Sequence, residues 1–314
     1  MTGVGALAGE ALRAFGVEGR LTPLTQTEND VFRVDLANGE RMALRVHRPG
    51  ARARAALEAE LSWLAALRAE TPLVVPDPVA APGGDRVVEL RAADEPAPRL
   101  CALFRWVDGR FLPGDVAPGL FARVGRFVGR LHVHAAAWRP ASGLRRGRFD
   151  PEAAAARLAP DAPFVRGLPA GARDLVALSL ERFRAAFDRL GTGPEVFGLV
   201  HADLHQFNVL LHRGQVRAID FDDCCFGHYL YDLAVTLVGA GPWRTTPAMR
   251  AAFLAGYRQE RALPAQLEGM LGTFMALRRL LLLRWALGDG PAGGPVVEGI
   301  LALVRADLTA ATDG

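Results

Sequence analysis

One stretch of the chain, residues 199–223, restricts the possible folds more than any other part of the sequence. Its polar residues follow the spacing H-x-D-x4-N and then, after an apolar hairpin, I-D-F; they are His201, Asp203, Asn208 and Asp220. Residue types fixed at this spacing are expected by chance, in a chain of this length, on the order of one time in a thousand. The stretch therefore predicts a built site rather than a series of ordinary turns.

The hairpin predicts how these side chains come together. If residues 209–211 pair with 216–219, Asn208 and Asp220 lie at the same end of the hairpin, and Asp203 approaches them from the preceding loop. Carboxylate and amide oxygens suit a hard cation such as Mg²⁺, and one carboxylate remains to accept a proton from an attacking hydroxyl. The spacing is that of the catalytic loop and the metal-binding aspartate of kinases.

The motifs around this stretch resemble those of the aminoglycoside phosphotransferase superfamily. That superfamily also contains choline kinases, kinase-like bacterial homoserine kinases, hydroxylysine kinases and a bacterial stress-response protein kinase. The resemblance extends over nearly the whole chain and is weakest after residue 287. The segments that carry it are His201–His205 with Asn208, Ala218–Asp223, Gly227–Ala234, Thr27–Val34, Met42–Arg45, Glu60-Leu61 with Trp63-Leu64, and Leu131-His132. It implies ATP and Mg²⁺ as cofactors and phosphoryl transfer to a hydroxyl as the activity.

The same resemblance implies roles for individual residues. Asp203 corresponds to the catalytic base, and Asn208 and Asp220 correspond to the metal ligands. Asp232 matches the aspartate that braces the catalytic loop, and His201 is interpreted as structural. The residues placed around the nucleotide are Glu28, Asn29, Arg45, Glu60, Leu103 and Phe104. In that set Glu60 pairs with Arg45, and Leu103 and Phe104 form the connector whose backbone meets the adenine.

Two departures from the family pattern concern the nucleotide. The third strand carries Arg45 where protein kinases carry lysine, and Glu28 and Asn29 stand where a G-x-G-x-x-G loop is expected. Arginine keeps the charge and offers a fork suited to phosphate and carboxylate, but its reach differs from that of lysine. The chain contains no lysine, and all 37 of its basic residues are arginines. An arginine at position 45 is therefore expected.

Several other polar side chains have two interpretations. His205 is either a contact for the acceptor or the phosphate, or a histidine that packs the loop. Asp222 and Asp223 either assist metal binding or, as we favour, cap a helix and face water. Cys224 and Cys225 are interpreted as small packing residues rather than redox centres.

Arginines also cluster without acidic neighbours. For the group between residues 121 and 149 we favour a solvated helix face with a loop over a surface for an acidic partner. For the group near residue 280 we favour side chains that reach from a helix to water. The residues are Arg123, Arg126, Arg130, Arg139, Arg145, Arg146 and Arg148, followed by Arg278, Arg279 and Arg284.

Hydrophobic periodicity predicts a β-rich front third and a helical remainder. The front third contains a helix at 6–15, a meander at 21–46 that turns at Asn38-Gly39, a helix at 53–68 and strands at 86–91 and 100–107. Further helices are predicted at 121–137, 153–158, 175–190, 248–259 and 271–287. We therefore predict an α+β, bilobal, protein-kinase-like fold. Its N-terminal nucleotide-binding lobe, a small sheet plus a helix, covers residues 1–103, and its mostly helical catalytic and acceptor-binding lobe covers 104–314.

Composition excludes several classes of protein. The 314 residues are 50% hydrophobic and 23% charged, which is ordinary globular usage and excludes disorder as the main state. A net charge of +3 gives no argument for nucleic acid as a partner. Three cysteines without a paired framework indicate a reducing compartment. The start of the chain lacks the pattern of a signal peptide and the apolar run at 280–283 is too short to span a bilayer, so we predict a cytoplasmic protein without a membrane partner.

The acceptor and two other classes of function stay open at this point. A small metabolite hydroxyl, as in homoserine, choline, hydroxylysine, a sugar or an aminoglycoside, is favoured because no activation segment is visible between Asp220 and Asp232. The alternative is a protein serine/threonine kinase of the compact stress-response type. A metal-dependent hydrolase would use His201, Asp203 and His205, on one face of a strand, with His212, Asp220 and His228. An inactive kinase fold that only binds partners is the remaining alternative.

Overall fold

The computed structural model describes residues 3–26, 28–91, 95–112, 116–139, 144–159, 162–239, 245–288 and 294–311, so Thr27 of the predicted nucleotide-loop segment lies outside the described residues. The chain divides into two compact units. The first unit consists of Met1–Gly109, Arg139–Arg146 and Arg217–Asp222, and the second unit consists of Arg110–Trp138, Gly147–Val216 and Asp223–Gly314. The first unit thus extends past residue 103 and includes two short segments from later in the chain.

The strands of the first unit form an antiparallel sheet of six. They are β1 (Arg20–Gln26), β2 (Asn29–Asp35), β3 (Arg41–His47), β4 (Asp77–Val79), β5 (Val88–Leu90) and β6 (Arg99–Arg105), in the order β1-β2-β3-β6-β4, with β5 also paired to β6. Gly39 lies between β2 and β3 with φ +84° and donates its N–H to the Leu36 carbonyl over 3.0 Å. Glycine adopts this backbone conformation without the steric cost of a Cβ atom. The predicted Asn38-Gly39 turn is confirmed.

The two faces of this sheet differ because successive side chains of a strand point to opposite sides. One face packs against α1 (Gly3–Ala14). The apolar residues in this contact are Ala8, Ala11, Leu12, Phe15, Phe32, Val34, Met42, Leu44, Val46, Cys101 and Leu103. Arg45 and His47 alternate with Leu44 and Val46 along β3 and so belong to the other face. A buried cation can therefore lie on a strand whose opposite face is wholly apolar.

The remaining helix of the first unit, α2 (Arg54–Glu70), carries Glu60 and packs beside the segment 217–222. The ring of Trp63 meets the ring of Phe221 edge to face, with centroids 5.6 Å apart. Ala218 donates its N–H to the Val74 carbonyl over 3.2 Å, and Arg217 donates to the Asp108 carbonyl over 3.0 Å. These bonds hold the end of the predicted hairpin in the first unit.

The second unit is mostly helical. Its helices are α3 (Pro118–Ala137), α4 (Pro151–Arg157), α5 (Pro163–Gly167), α6 (Ala170–Leu190), α7 (Tyr229–Val238), α8 (Pro247–Arg258), α9 (Ala265–Gly269), α10 (Leu271–Leu287) and α11 (Pro295–Ala310). Its strands are β7 (Arg110–Phe111), β8 (Phe197–Val200), β9 (Val209–His212), β10 (Gln215–Ala218, of which the first two residues belong to this unit) and β11 (Cys225–His228). β9 pairs with β7 and β10, and β8 pairs with β11, so the predicted hairpin is confirmed.

Helices α3 and α8 approach each other closely. Gly125 of α3 and Gly256 of α8 face the backbone of the opposite helix at Phe253 and Ala122, with no room for a Cβ atom at either glycine. Small residues are what allow two helix backbones this close. None of the helices within the described ranges is long and apolar enough to cross a membrane.

Two local predictions are wrong. Leu103 and Phe104 are not a connector: they lie within β6, where they pair with Leu44 and Ala43 of β3 and with Val79 and Pro78 of β4. The strand, predicted at 100–107, ends at Arg105 with a sheet neighbour on each side, so the chain leaves the sheet at 106–109. Residues 201–208 are a loop rather than a strand, so His201, Asp203 and His205 do not share a strand face.

Helix α7 was not predicted. All ten of its residues are buried, so its sequence lacks the polar face that produces a helical period.

Candidate active site

The loop between β8 and β9 is held by one buried carboxylate. Asp232, in the first turn of α7, accepts the backbone N–H of His201 over 2.8 Å and that of Ala202 over 2.6 Å. His132 of α3 lies with its Nε2 3.1 Å from the same carboxylate and its Nδ1 3.0 Å from the Tyr257 hydroxyl. Burial raises the pKa of Asp232, but the His132 and His201 contacts outweigh it and leave the pKa below its ordinary value. These are the contacts that a loop-bracing role requires.

Asp203 stands in this loop with donors on both carboxylate oxygens. Its Oδ2 accepts from Asn208 Nδ2 over 3.1 Å and lies 3.2 Å from His205 Nε2, and its Oδ1 accepts from Arg278 Nη2 over 2.6 Å. Burial raises the pKa of this carboxyl, but His205 and Arg278 hold it below its ordinary value. Asp203 is therefore ionised at neutral pH and able to accept a proton.

His205 acts as a support within the loop. Its Nδ1 accepts the Phe207 backbone N–H over 3.2 Å, and its Nε2 donates to Asp203. Of the two interpretations of His205, the structure shows the loop-packing contact.

Asn208 uses its amide nitrogen within the loop. Nδ2 donates to the Asp203 carbonyl over 2.9 Å and to its carboxylate, which leaves the amide oxygen as the end of the side chain able to ligate a cation. Asp220, which is exposed and has φ +64°, offers carboxylate oxygens. Amide and carboxylate oxygens are donors of the kind Mg²⁺ prefers, so both residues fit the predicted ion. Within the described ranges, no group of three or more His, Cys, Asp or Glu side chains is arranged to hold a metal ion.

In the first unit, Arg45 and Glu60 form the expected ion pair. Arg45 Nη2 donates to Glu60 Oε1 over 2.7 Å, and both side chains are buried. The Phe104 ring lies 5.2 Å from the Arg45 guanidinium, so Phe104 contributes its side chain to this face of the sheet. Burial lowers the pKa of Arg45, but Glu60, Asp222 and Asp220 raise it above its ordinary value. Arg45 is therefore a permanent cation.

Asp222 neither caps a helix nor faces water. It is buried, accepts from Arg52 over 2.7 Å and from Asn29 over 3.0 Å, and lies 3.8 Å from Arg45. Burial raises the pKa of Asp222, and the surrounding arginines lower it well below its ordinary value. The interpretation favoured from the sequence is wrong for Asp222, because its cationic partners lie far away along the chain. The neighbouring Asp223 is exposed.

Arg146 is a site residue that sequence reasoning missed. Its side chain is 2% exposed, donates to the Ala56 carbonyl over 2.9 Å and to the carbonyls of Phe221 and Asp222, and lies 4.0 Å from Glu60. It thus joins α2 to the segment that follows Asp220. A solvated position is wrong for Arg146, although Arg126 and Arg130 do lie on the surface and share Glu260 at 3.1 Å.

Arg278 was also misassigned. It is buried against Asp203 instead of reaching water, whereas Arg284 is exposed and Arg279 pairs with Asp307 over 2.6 Å. Helical spacing places an arginine on a helix but does not say whether that face meets water or a carboxylate. No signal in the sequence marked Arg278.

The other predicted residues differ in their placement. Glu28 is exposed, Asn29 is bonded to Asp222, and the backbones of Leu103 and Phe104 lie inside the sheet ladder. Cys224 is buried and Cys225 is half-buried, and within the described residues neither takes part in a disulfide. His228 of the hydrolase alternative donates from Nε2 to the Gly191 carbonyl over 2.8 Å and packs among Phe187, Phe197 and Phe274.

Sequence comparison finds relatives along most of the chain. A family model described as Phosphotransferase enzyme family matches residues 20–269. The homoserine kinase of Neisseria meningitidis serogroup B is 38% identical over 115 residues, which are 34% of this chain and 36% of that protein. The amicoumacin kinase of Bacillus subtilis is 29% identical over 103 residues, 30% of this chain and 31% of that protein. The chain thus matches about a third of the length of these curated relatives.

Solved structures match over nearly the full length. A microcompartment-associated aminopropanol kinase is 31% identical with a TM-score of 0.79, and the match covers 96% of this chain and 94% of that one. An amicoumacin kinase in complex with AMP-PNP, Ca²⁺ and Ami has a TM-score of 0.80 at 22% identity, with 98% and 93% covered. These matches confirm the predicted α+β, protein-kinase-like fold and the resemblance drawn from the motifs. The chain belongs to the phosphotransferase enzyme family.

Proposed function

We propose that the protein is a kinase that transfers the γ-phosphoryl group of ATP, held with Mg²⁺, to a hydroxyl of a small molecule. The observation that carries the proposal is the loop 201–208, in which Asp203 is oriented by Asn208 and the backbone is braced by Asp232. Family membership supports the same reaction class. The named relatives act on homoserine, aminopropanol and amicoumacin, so they support a small acceptor over a protein substrate.

Asp203 is the proposed catalytic base. The acceptor hydroxyl gives its proton to the Asp203 carboxylate while its oxygen bonds to the γ-phosphorus. The bond from that phosphorus to the bridging oxygen breaks, and ADP leaves with the electron pair. Asn208 and His205 restrict the rotation of the carboxylate, so the proton acceptor is in place before the acceptor binds.

Asn208 and Asp220 are the residues that we propose to hold Mg²⁺, which when bound offsets the negative charge of the phosphates. Arg45, kept in place by Glu60, orients the phosphates. Glu28 and Asn29 stay as proposed contacts in place of a glycine-rich loop. The adenine would meet backbone at 107–109, beyond the ladder, and the side chain of Phe104. A cytoplasmic location stays a prediction.

Replacement of the base tests the proposal. In Asp203→Asn we expect kcat with a responsive alcohol to fall by about 10²- to 10⁴-fold, the contribution typical of a positioned base. The dissociation constant of Mg-ATP should change by less than about threefold, because the base acts on the acceptor. Asp188→Asn, on the exposed face of α6, is the control. A screen of hydroxy acids, amino alcohols, choline, sugars and aminoglycosides for ADP release identifies the alcohol, and full turnover in Asp203→Asn would contradict the proposal.

A further inference from the structure

Arg278 of α10 is a buried cation that the reaction proposed above does not use. Its side chain is 10% exposed, and its Nη2 lies 2.6 Å from Asp203 Oδ1. The Tyr231 hydroxyl contributes to raising the pKa of Arg278, and Tyr231 is stacked on Phe149 with ring centroids 4.0 Å apart. Its Nε is buried and has no hydrogen-bond partner in the part of the chain that the structure describes. The guanidinium of Arg278 is thus held by Asp203 at Nη2, while its Nε makes no hydrogen bond to the described residues.

Orientation of Asp203 does not require this arginine. Asn208 and His205 already hold Oδ2 from within the loop. A buried guanidinium with an unbonded nitrogen costs free energy that a neutral donor would avoid. Its charge and its fork of donors therefore point to a second anionic partner.

Geometry places that partner on the acceptor. The acceptor hydroxyl must come within hydrogen-bond distance of Asp203 to lose its proton, so the rest of a small acceptor lies within a few ångströms of the Arg278 guanidinium. Asn208, a proposed metal ligand, marks the Oδ2 side of Asp203 as the side of the nucleotide. Arg278 lies on the other oxygen, Oδ1.

Charge selects the chemistry of this partner. The side chains that contact Asp203 in the described second unit are Arg278, His205 and Asn208, all of them donors. A further cation, Arg157, lies over the ring of Phe149, 5.6 Å from its centre, and its charge acts to lower the pKa of Tyr231. An ammonium group here would meet Arg278 and Arg157, and among the described contacts around Asp203 the carboxylate is that of the base itself. A carboxylate would meet a planar fork that fits it in a bidentate manner.

We propose, on the basis of the kinase function above, that Arg278 binds a carboxylate of the acceptor, so that the substrates are small hydroxy acids rather than amino alcohols or aminoglycosides. In the absence of acceptor, Asp203 serves as the counter-ion of Arg278. When the acceptor carboxylate takes over part of that fork, Asp203 Oδ1 becomes available to the hydroxyl. Arg278 is therefore a specificity-determining residue.

Matched acceptors test the proposal in the unmodified enzyme. We would use 4-hydroxybutanoate, 4-hydroxybutanamide and 4-amino-1-butanol, which differ only in the terminal group, and L-homoserine with its amide. The acid of each set should have a kcat/KM at least about tenfold above that of its amide and, in the first set, of the amine, as expected when a buried donor loses its partner. Equal use of acid and amide, or a preference for the amine, would overturn the inference.

Variants separate this role from two others. In Arg278→Gln the kcat/KM values of the acid and the amide should differ by less than about threefold, and the KM for ATP should be unchanged. Arg278→Lys should keep part of the advantage, and Arg284→Gln, an exposed arginine of the same helix, should keep all of it. A raised KM for ATP would assign Arg278 to the nucleotide, and an equal loss of kcat for all acceptors would assign it to orientation of Asp203. Either result overturns the inference.

Calorimetry gives an answer that does not depend on turnover. With AMP-PNP present, at least one of the two acids, 4-hydroxybutanoate or L-homoserine, should bind the wild type. The same acid should bind Arg278→Gln with about tenfold lower affinity. No binding, or equal binding by the two proteins, overturns the inference. The kinase function is judged separately, because Asp203-dependent turnover of any alcohol sustains it, including an amine or a neutral sugar.

Discussion

Arg45 combines burial with a full charge. It lies on β3 with 6% of its surface exposed, 2.7 Å from Glu60 and 3.8 Å from Asp222. Removal of a charge from water costs several kcal/mol per ion, and this cost is recovered only when the partners stay in place. Loss of one partner therefore leaves the other charge buried without compensation. Arg45 and Glu60 should consequently behave as one unit.

A double-mutant cycle tests this coupling. Arg45→Ala and Glu60→Ala should each lower kcat/KM for ATP, and the double variant should be less impaired than the product of the two, with a coupling of roughly 1 to 3 kcal/mol. Arg45→Lys should recover only part of the loss, because a point charge cannot replace a fork. Strict additivity with wild-type kinetics in Arg45→Lys would show that another group, such as Arg33, neutralises the phosphates.

His47 should make stability depend on pH. Burial, together with Arg45 and two further arginines, lowers its pKa to about 3 from 6.5, against a smaller opposing effect of Asp222. Between these values the unfolded chain binds a proton that the folded chain does not, so stability falls as pH decreases from 6.5. In His47→Gln the slope of the unfolding free energy between pH 6.5 and 5 should decrease by up to about 1.4 kcal/mol per pH unit. Urea unfolding at several pH values measures this slope, and an unchanged slope in His47→Gln would show that His47 is not its source.

At the scale of elements, the loop 201–208 is shaped by a backbone conformation that costs free energy. Ala202 has φ +67°, and its N–H is bonded to Asp232 Oδ1. An L-residue in this conformation costs about 1–2 kcal/mol. The bonds to Asp232 and the bond from Thr236 to the Leu204 carbonyl, 2.9 Å long, outweigh this cost. The loop is thus held by α7 rather than by its own propensity.

Glycine at position 202 should therefore be tolerated. The substitution removes about 1–2 kcal/mol of backbone strain from the folded state. It costs roughly 0.5–1 kcal/mol because the unfolded chain becomes more flexible, and about 0.8 kcal/mol because a buried methyl group is lost. We expect Ala202→Gly to lie within about 1 kcal/mol of the wild type in chemical unfolding. Ala234→Gly, at a buried position inside α7, has no strain to relieve and should cost about 2 kcal/mol. Equal losses in the two variants would show that the strain at Ala202 is negligible.

In the whole molecule, each compact unit contains its own buried polar network. The first is built on Arg45, Glu60 and Asp222, and the second on Asp232 and His132. Neither network by itself identifies a ligand, but a ligand that binds only the folded chain stabilises it in proportion to its affinity. The response of the complete protein to nucleotide and metal is therefore a measure of the proposed ligand set.

Thermal unfolding with Mg-ATP tests the role of Asp220. At a concentration of 100 times the dissociation constant, binding adds about 2.7 kcal/mol, which raises the midpoint by about 5 °C. In Asp220→Ala the Mg²⁺-dependent part of this shift should disappear, whereas in Asn208→Ala it should decrease. Asp85→Ala, which removes an exposed carboxylate of the first unit, is the control. An equal Mg²⁺-dependent shift in wild type and Asp220→Ala would contradict metal ligation by Asp220.

Much of the fold could be predicted because its determinants are local. The Asn38-Gly39 turn and the alternation along β2 and β3 specify the antiparallel meander, and the same alternation places Arg45 opposite the apolar face. The spacing from Asp203 to Asn208 and the following hairpin specify the catalytic loop. In each case the interacting residues are near neighbours in the chain, so a pattern of a few residues carries the information.

Tertiary structure alone decided where Arg146 and Arg278 lie. Arg278 meets a carboxylate 75 positions away, and Arg146 meets a carbonyl 76 positions away. An arginine on a helix or in a loop has the same local pattern whether it faces water or a distant acceptor, since the difference lies in the partner. Leu103 and Phe104 lie in a strand, as the predicted strand at 100–107 has them, but only the pairing with β3 and β4 on both sides shows that their backbones are not a connector. Local spacing thus specified the residues of the proposed reaction, while long-range packing placed the cation at Asp203.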